Sequence, residues 1–201
     1  EALHPHHRAY PDFDEDERNA PAPSRRAPRR ALLQAFGEEE QEEIHLTPEN
    51  KTAQREGLVA LYHALGGEGW TRSDRWLQGE PCGNETHSSW DGLECSGDAV
   101  VGLYLYSNNL RGTLPEGLFR GVPHLKVVDL GSNQLRGTVP SEWLSHTPQM
   151  KRVDLQSNVL NGTIHLNLTV APNLQTLDVS NNSLTNLTLA GANAQLWYLN
   201  A

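Results

Sequence analysis

Three aspartates occupy equivalent positions in successive copies of one short motif: Asp129 in LKVVDL, Asp154 in MKRVDL and Asp178 in LQTLDV. If these copies form neighbouring strands, their carboxylates stack about 4.8 Å apart and repel one another. Such a column needs compensation from an outside cation, from a binding partner, or from basic side chains of its own copies. The basic residues available in those copies are Lys126, Lys151 and Arg152.

The two cysteines, Cys82 and Cys95, form either a disulfide or two unrelated thiols. Glycosylation signals bear on the choice, because the chain has six Asn-x-Ser/Thr sequons where its composition predicts roughly two by chance. The excess favours the secretory route, an oxidising compartment and a Cys82–Cys95 disulfide. Alternatively, an asparagine-rich repeat produces sequons incidentally. The sequons are at Asn50, Asn84, Asn161, Asn167, Asn181 and Asn186.

Residue patterns that signal catalysis or a cofactor are missing from the sequence. It contains no nucleophile elbow, phosphate-binding loop, HExxH or CxxC motif. His124, His146 and His165 fall at inequivalent repeat positions, and a flat sheet face provides no closed pocket for acid–base chemistry. We therefore expect no enzymatic activity, no cofactor and no metal site. A net charge of −9 without a basic stripe disfavours nucleic acid as the partner.

The motif recurs at a fixed interval, which predicts the architecture that positions these side chains. Copies start at Val100, Leu125, Met150 and Leu174, spaced by 25, 25 and 24 residues, and a fifth begins at Leu196. This period is typical of a solenoid, in which each repeat buries its apolar face against its neighbours. Apolar residues alternate with period two within each copy, which predicts one short strand per repeat and a stacked parallel sheet.

An asparagine follows each predicted strand at a constant distance. A side-chain amide both donates and accepts hydrogen bonds, so it can satisfy backbone groups where the chain leaves the sheet. We therefore interpret these residues as a structural ladder rather than as catalysts, and we expect the neighbouring Asn109 to face outward and to be nearly neutral when substituted. The ladder residues are Asn108, Asn133, Asn158 and Asn182.

Composition divides the chain into three segments. Residues 1–46 carry charge blocks and prolines and are expected to form a flexible arm unless a partner docks it. Residues 47–99 begin with a predicted helix and contain three tryptophans and both cysteines, which suits an N-terminal cap for the solenoid. Residues 100–201 contain about four and a fraction repeats. The last repeat stops at Ala201, so we expect more chain or a partner to cover an otherwise uncapped end.

The segments GLVALYHALGGEGW, WLQGEPC and WDGLEC, followed by repeats of the form LxxLxLxxNxLxGxIP, resemble plant-type leucine-rich repeat proteins with an N-terminal cap. The similar proteins are receptor-like ectodomains and polygalacturonase-inhibitor-like proteins. The resemblance implies an α/β solenoid with a parallel sheet on its concave face and a helical, disulfide-bonded cap. It also implies that aspartate is common at the Asp129 position. In this family the GxIP segments form a second sheet. The third and fourth copies depart from GxIP, which argues against a second sheet in those copies.

We expect this chain to be an extracellular module, secreted or at the cell surface, that binds a protein or peptide through the concave face. No run of about 18 apolar residues is present to span a membrane. An alternative is a structural glycoprotein of a cell wall, surface layer or larger assembly. We expect a glycan on Asn181 to crowd the surface of the fourth repeat. We also expect Arg152→Glu and Tyr104→Ala to weaken partner binding while thermal stability stays nearly unchanged. The predicted partner-binding residues are Tyr104, Tyr106, Lys126, Asp129, Lys151, Arg152, Asp154 and Asp178.

Overall fold

The computed structural model describes residues 43–83, 88–192 and 195–201. The predicted arm lies almost wholly outside these residues, as does the sequon at Asn84. The described chain comprises one α-helix, a short 3-10 helix and ten strands in two sheets. No helix in this part of the chain is long and apolar enough to cross a membrane.

The helix α1 spans Pro48–Ala64 and begins where the sequence predicts it. Thr47 is the N-cap, and its hydroxyl accepts a hydrogen bond from the Asn50 backbone N–H at 3.3 Å. The helix is followed by Gly66 in the left-handed region, and a 3-10 turn spans Gly67–Gly69. The buried residues of α1 are Gln54, Leu58, Leu61 and Tyr62.

Aromatic side chains from the cap form the first layer of the core. Tyr62, Trp70, Trp76 and Trp90 are all buried, and consecutive rings in this group have centroids 4.9 to 5.1 Å apart. A disulfide joins Cys82 to Cys95 beside them. The prediction of a helical, disulfide-bonded N-terminal cap is therefore confirmed.

Sheet A has six strands in the order β1-β2-β4-β6-β8-β10. The first pair, β1 and β2, is antiparallel, and every later pair is parallel, because each later strand comes from the equivalent position of the next repeat. The strands are β1 Leu93–Ser96, β2 Ala99–Tyr104, β4 Val127–Asp129, β6 Arg152–Asp154, β8 Thr176–Asp178 and β10 Tyr198–Asn200.

Sheet B has four parallel strands in the order β3-β5-β7-β9. The doubt about a second sheet in the third and fourth repeats was wrong, since β7 and β9 pair over seven residue positions and are the longest strands of this sheet. The first two copies contain Pro115 and Pro140, which lack an N–H, whereas His165 in the third copy can continue the strand. The strands are β3 Arg111–Thr113, β5 Gln134–Gly137, β7 Val159–Asn167 and β9 Ser183–Ala190.

Aligned apolar columns fill the space between the two sheets. Leu103, Val128, Val153 and Leu177 are paired in register along sheet A, and each is at most 1% exposed. Complete burial of such a side chain contributes roughly 1.5 to 3 kcal/mol, so these columns dominate the stability of the stack. The leucine-rich solenoid predicted from the sequence is therefore confirmed.

The ladder asparagines hold successive repeats together through their amides. Asn133 accepts from the backbone N–H groups of Asn108 and Leu110 and donates to the carbonyls of Leu105, Leu130 and Gly131, all at 2.9 to 3.0 Å. The amide of Asn158 bonds in the same way to the second and third repeats, and that of Asn182 to the third and fourth.

The first asparagine of the ladder joins the repeats to the cap. Asn108 accepts from the backbone N–H of Arg72 at 2.6 Å and donates to its carbonyl at 2.9 Å. Asn109 is half-buried, and its amide donates to Gly69 O at 2.7 Å and accepts from Arg111 and Gln134. Asn109 was expected to face outward, but it is only half exposed and its amide joins the cap to β3 and β5.

Candidate functional site

The side of sheet A that faces away from sheet B presents aligned columns of polar and aromatic side chains. Strand register places Tyr104 beside Asp129, Asp129 beside Asp154, and Asp154 beside Asp178. A neighbouring column runs through Val127, Arg152, Thr176 and Tyr198. These columns bring together the strand residues that the sequence analysis assigned to partner binding.

Each carboxylate of the aspartate column accepts a hydrogen bond from the turn that follows its strand. Oδ1 of Asp129, Asp154 and Asp178 accepts the backbone N–H two residues further on, at 3.2, 3.1 and 3.0 Å. This local bond stabilises the chain as it leaves the strand, as aspartate does in Asx turns. These bonds support a structural role for the aspartate column, and they leave the Oδ2 atom of each residue for contacts with other side chains.

Charge compensation along the column is uneven. Asp154 is 4% exposed, and its Oδ2 lies 3.4 Å from the guanidinium of Arg152 and 3.3 Å from the amide of Gln156. Asp178 receives hydrogen bonds from Tyr198 and Ser180. Asp129 has no ion pair within 4.0 Å among the described residues.

Burial raises the pKa of the Asp129 carboxyl above its usual value, and the charge of Asp154 adds to the rise. Arg152 and Arg72 act in the opposite direction without cancelling the effect. A positive group placed over Asp129 by a partner would therefore stabilise its ionised form. Among residues 43–83, 88–192 and 195–201, no group of three or more His, Cys, Asp or Glu side chains could hold a metal ion.

Tyr104 is fixed within the sheet rather than free. Its hydroxyl donates to Glu94 Oε2 at 2.8 Å, and burial together with this bond raises the pKa of the phenol far above its usual value. A Cβ on Gly102 would lie 2.6 Å from the Tyr104 ring and 2.9 Å from Glu94 Oε2, so glycine makes room for the pair. Substitution of Tyr104 would disturb this packing, and Tyr104 is a poorer probe of partner binding than the sequence indicated.

Tyr106 offers the exposed aromatic surface, with 45% of the residue accessible. The space above Gly131 is shared by the Tyr106 ring, Asp154 Oδ1 and Gln156 Cγ, each 3.1 to 3.2 Å from where a Cβ would lie. Arg152 is 55% exposed beside Asp154. We define the recognition patch as Tyr106, Gly131, Arg152, Asp154 and Gln156.

The cap also reaches the edge of this patch, which sequence reasoning missed. The Arg72 guanidinium donates to Tyr106 O at 2.9 Å, and the backbone of Arg72 is bonded to Asn108. The signal in the sequence was slight, because Arg72 lies in an irregular segment with no repeat to mark its position. Of the other predicted residues, Lys126 and Lys151 are half-buried and directly precede β4 and β6.

All five described sequon asparagines are exposed. Asn161, Asn167 and Asn186 lie on β7 and β9 of sheet B, and Asn50 lies in the first turn of α1. Asn181 directly follows Ser180 at the end of the fourth repeat's turn and has a φ of 53°. Glycans on β7 and β9 would therefore leave the exposed face of sheet A accessible.

The stacked strand–turn repeats, the asparagine ladder and the disulfide-bonded cap define a capped solenoid. Leucine-rich repeat family models match residues 100–160 and 173–191. The matched residues are therefore leucine-rich repeats, and the two-sheet solenoid agrees with that assignment. No curated protein sequence matches the chain.

Three solved structures with the same fold are ectodomains of plant proteins. The BIR2 ectodomain from Arabidopsis thaliana is 25% identical, with a TM-score of 0.55, over 65% of this chain and 68% of that chain. The SOBIR1 receptor kinase ectodomain from the same plant is 24% identical, with a TM-score of 0.50, over 66% and 68%. The GASSHO1/SCHENGEN3 ectodomain, solved in complex with CASPARIAN STRIP INTEGRITY FACTOR 2, is 21% identical, with a TM-score of 0.51, over 74% and 20%.

Proposed function

We propose that this chain is an extracellular recognition module that binds a protein or peptide partner along the exposed face of sheet A, the concave face in the leucine-rich repeat family. The observation that carries the proposal is the recognition patch, in which an exposed tyrosine ring and an exposed arginine lie over a rigid, hydrogen-bonded sheet. Tyrosine and arginine are favoured interface anchors, because they combine large contact area with directed hydrogen bonds.

Rigid positioning supports this role. Gln156 and Asp154 are bonded to each other, and Arg152 is bonded to Asp154, so little side-chain freedom remains to be lost on binding. The raised pKa of Asp129 favours a partner that brings a positive group to the centre of the face. The expected partner segment therefore pairs a cationic residue with an aromatic or apolar one that packs on Tyr106.

An extracellular setting is supported by two independent features. The Cys82–Cys95 disulfide is typical of an oxidising compartment, and the exposed sequons are accessible to glycosylation. Two of the similar structures are receptor kinase ectodomains, and one of them was solved with a bound factor. These features favour recognition outside the cell.

Site-specific photocrosslinking tests the proposal. A photoreactive phenylalanine analogue replaces Tyr106 in one protein and Leu189, which is exposed on β9 of sheet B, in a second. Extracellular proteins of the native source are added, and crosslinks are identified by mass spectrometry. We expect a discrete crosslinked partner at position 106 that unlabelled wild-type protein displaces and the Arg152→Glu variant displaces poorly. A partner captured only at position 189, or one displaced equally by both competitors, would contradict the proposed face.

A further inference from the structure

A second surface with a different charge lies where α1 meets sheet B. An open cleft of about 450 Å³ is lined by His63, Ala64, Gly66, Arg111, Gly112, Gln134 and Arg136. We propose that this basic cleft binds an acidic polypeptide segment of a partner, through a site separate from the recognition patch. The proposal does not depend on the function proposed for sheet A.

Strand register places the polar side chains of the cleft on one face. Arg111 pairs with Gln134, and Thr113 pairs with Arg136, in the parallel ladder between β3 and β5. These four residues are exposed, whereas the intervening Leu135 is 0% exposed. Because side chains alternate along a strand, both arginines project to the same side, diagonal to each other on adjacent strands.

Asn109 orients part of this surface. Its Oδ1 accepts from the Arg111 guanidinium at 3.2 Å and from the Gln134 amide at 2.8 Å, while its Nδ2 donates to Gly69 O at 2.7 Å. One amide therefore fixes two donor side chains of the cleft against the cap. A guanidinium held in this way still has N–H groups for a carboxylate, which it can bind through two parallel hydrogen bonds.

The positive charges of the cleft have no anionic partner within the described chain. No carboxylate of those residues lies within 4.0 Å of the Arg111 or Arg136 guanidinium, and no acidic residue lines the cleft. The carbonyl oxygen of Leu65, at the end of α1, already accepts hydrogen bonds from the backbone N–H of Arg111 and from the indole N–H of Trp70, each at 2.9 Å. In a chain of net charge −9, an unpaired basic cleft selects an anionic ligand.

Two neighbouring features favour a polypeptide as that ligand. Val159 pairs with Arg136 in the next strand and is 53% exposed, so the basic row continues into an apolar contact. A peptide with acidic side chains for the arginines and an apolar side chain for Val159 matches this surface. The sequons of sheet B lie on β7 and β9, whereas β3 and β5 carry none, so glycans would leave the cleft open.

Fluorescence anisotropy with labelled hexaglutamate tests the cleft, with hexalysine as the charge control and dextran sulfate as a polyanionic sugar. The proteins compared are the wild type, the Arg111→Gln/Arg136→Gln variant, and an Arg75→Gln/Arg120→Gln variant that loses the same charge at exposed positions outside the cleft. Circular dichroism and thermal melts establish that all three remain folded. Each titration is run at about 50 mM and about 500 mM sodium chloride, because salt screens exposed ion pairs.

We expect saturable hexaglutamate binding at low salt that weakens about tenfold in the cleft variant and by less than about twofold in the control. Variants of the recognition patch should bind hexaglutamate as the wild type does. The proposal is overturned if hexaglutamate does not bind, or if both arginine variants lose the same affinity. It is also overturned if dextran sulfate binds through Arg111 and Arg136 while hexaglutamate does not, since the ligand would then be a sugar polymer.

Discussion

At the scale of single residues, the side-chain amide of Asn133 makes more hydrogen bonds than that of any other described ladder residue. It makes five hydrogen bonds and is 9% exposed, and it connects the first and second repeats. Its removal leaves buried backbone groups of both repeats unpaired.

We therefore expect Asn133→Ala to lower the free energy of unfolding by about 2 to 4 kcal/mol, since each stranded buried group costs about 1 to 3 kcal/mol. The control is Asn161→Ala, an exposed residue of sheet B, which should change stability by less than about 0.5 kcal/mol. Urea melts of unglycosylated protein provide the measurement. Equal effects of the two substitutions would contradict the ladder role.

The raised pKa of Asp129 predicts that its charge opposes folding at neutral pH. Asn at this position keeps an Oδ1 that accepts the Gly131 N–H, which lies 3.2 Å from the Asp129 carboxylate, but removes the partly buried charge. We expect Asp129→Asn to stabilise the protein at pH 7 by about 0.5 kcal/mol, a value suited to a partly solvated charge.

The pH dependence follows from the direction of the shift. Because the folded-state pKa exceeds the unfolded one, the penalty in wild type is complete above the folded pKa and disappears as the pH falls below the unfolded pKa. The stability gained by Asp129→Asn at pH 7 should therefore vanish at about pH 3. Denaturant melts at both pH values test this, and a variant less stable than wild type at pH 7 would show that ionised Asp129 supports the fold.

At the scale of elements, Gln54 attaches α1 to the first hairpin. Its Nε2 donates to Asp98 O at 2.9 Å, its Oε1 accepts from the Val100 N–H at 2.8 Å, and the residue is 3% exposed. A second link is the ion pair of Lys51 with Asp98 at 3.0 Å, which holds the pKa of the Asp98 carboxyl below its usual value. This exposed pair contributes little compared with the buried amide.

We expect Gln54→Leu to destabilise the protein by about 2 kcal/mol, because leucine fills the space but leaves two backbone groups unpaired. Glu56→Leu on the exposed side of the same helix serves as the control and should have little effect. Thermal melts and hydrogen exchange at Val100 are the measurements. Unchanged protection of the Val100 amide in Gln54→Leu would mean that the helix is held by apolar contacts alone.

Repetition explains which elements the sequence predicted. Strand positions, the ladder and the cap helix all have local signals, and apolar residues such as Val128 and Val153 recur at the period of the stack. Gln54 could not be found in this way, because its partners lie 44 and 46 residues away and no periodicity marks it. The extent of β7 and β9 was missed because the departure from the GxIP pattern was interpreted as a loss of the second sheet. A residue other than proline in fact supplies a backbone N–H that lets the strand continue.

The candidate site was predictable only in part, for a related reason. Register alone aligned Asp129 with Asp154, as the repeats indicated. Side-chain exposure depends on neighbours from other repeats, and it separates the exposed Tyr106 from Tyr104, which is bonded to Glu94. The basic cleft combines the end of α1 with two strands, a contact that no single repeat contains.

At the scale of the whole molecule, the two sheets present surfaces of different character. Sheet A carries the recognition patch, with mixed charge and an exposed aromatic ring. Sheet B carries the basic cleft near the cap and sequons on its longer strands. Under the two proposals, one partner contacts sheet A while an acidic segment occupies the cleft of sheet B.

The affinity of the partner identified by crosslinking at position 106 shows whether the recognition patch binds that partner. Its dissociation constant is measured by calorimetry for the wild type, for Tyr106→Ala/Arg152→Glu, and for Val159→Ala/Arg120→Glu, a matched pair of exposed changes away from the recognition patch. Two central anchors worth about 2 kcal/mol each predict at least about a hundredfold loss in the first variant. We expect this loss with an unchanged melting temperature, and we expect the control variant to bind as the wild type does. Normal binding by the first variant together with weakened binding by the control would contradict it.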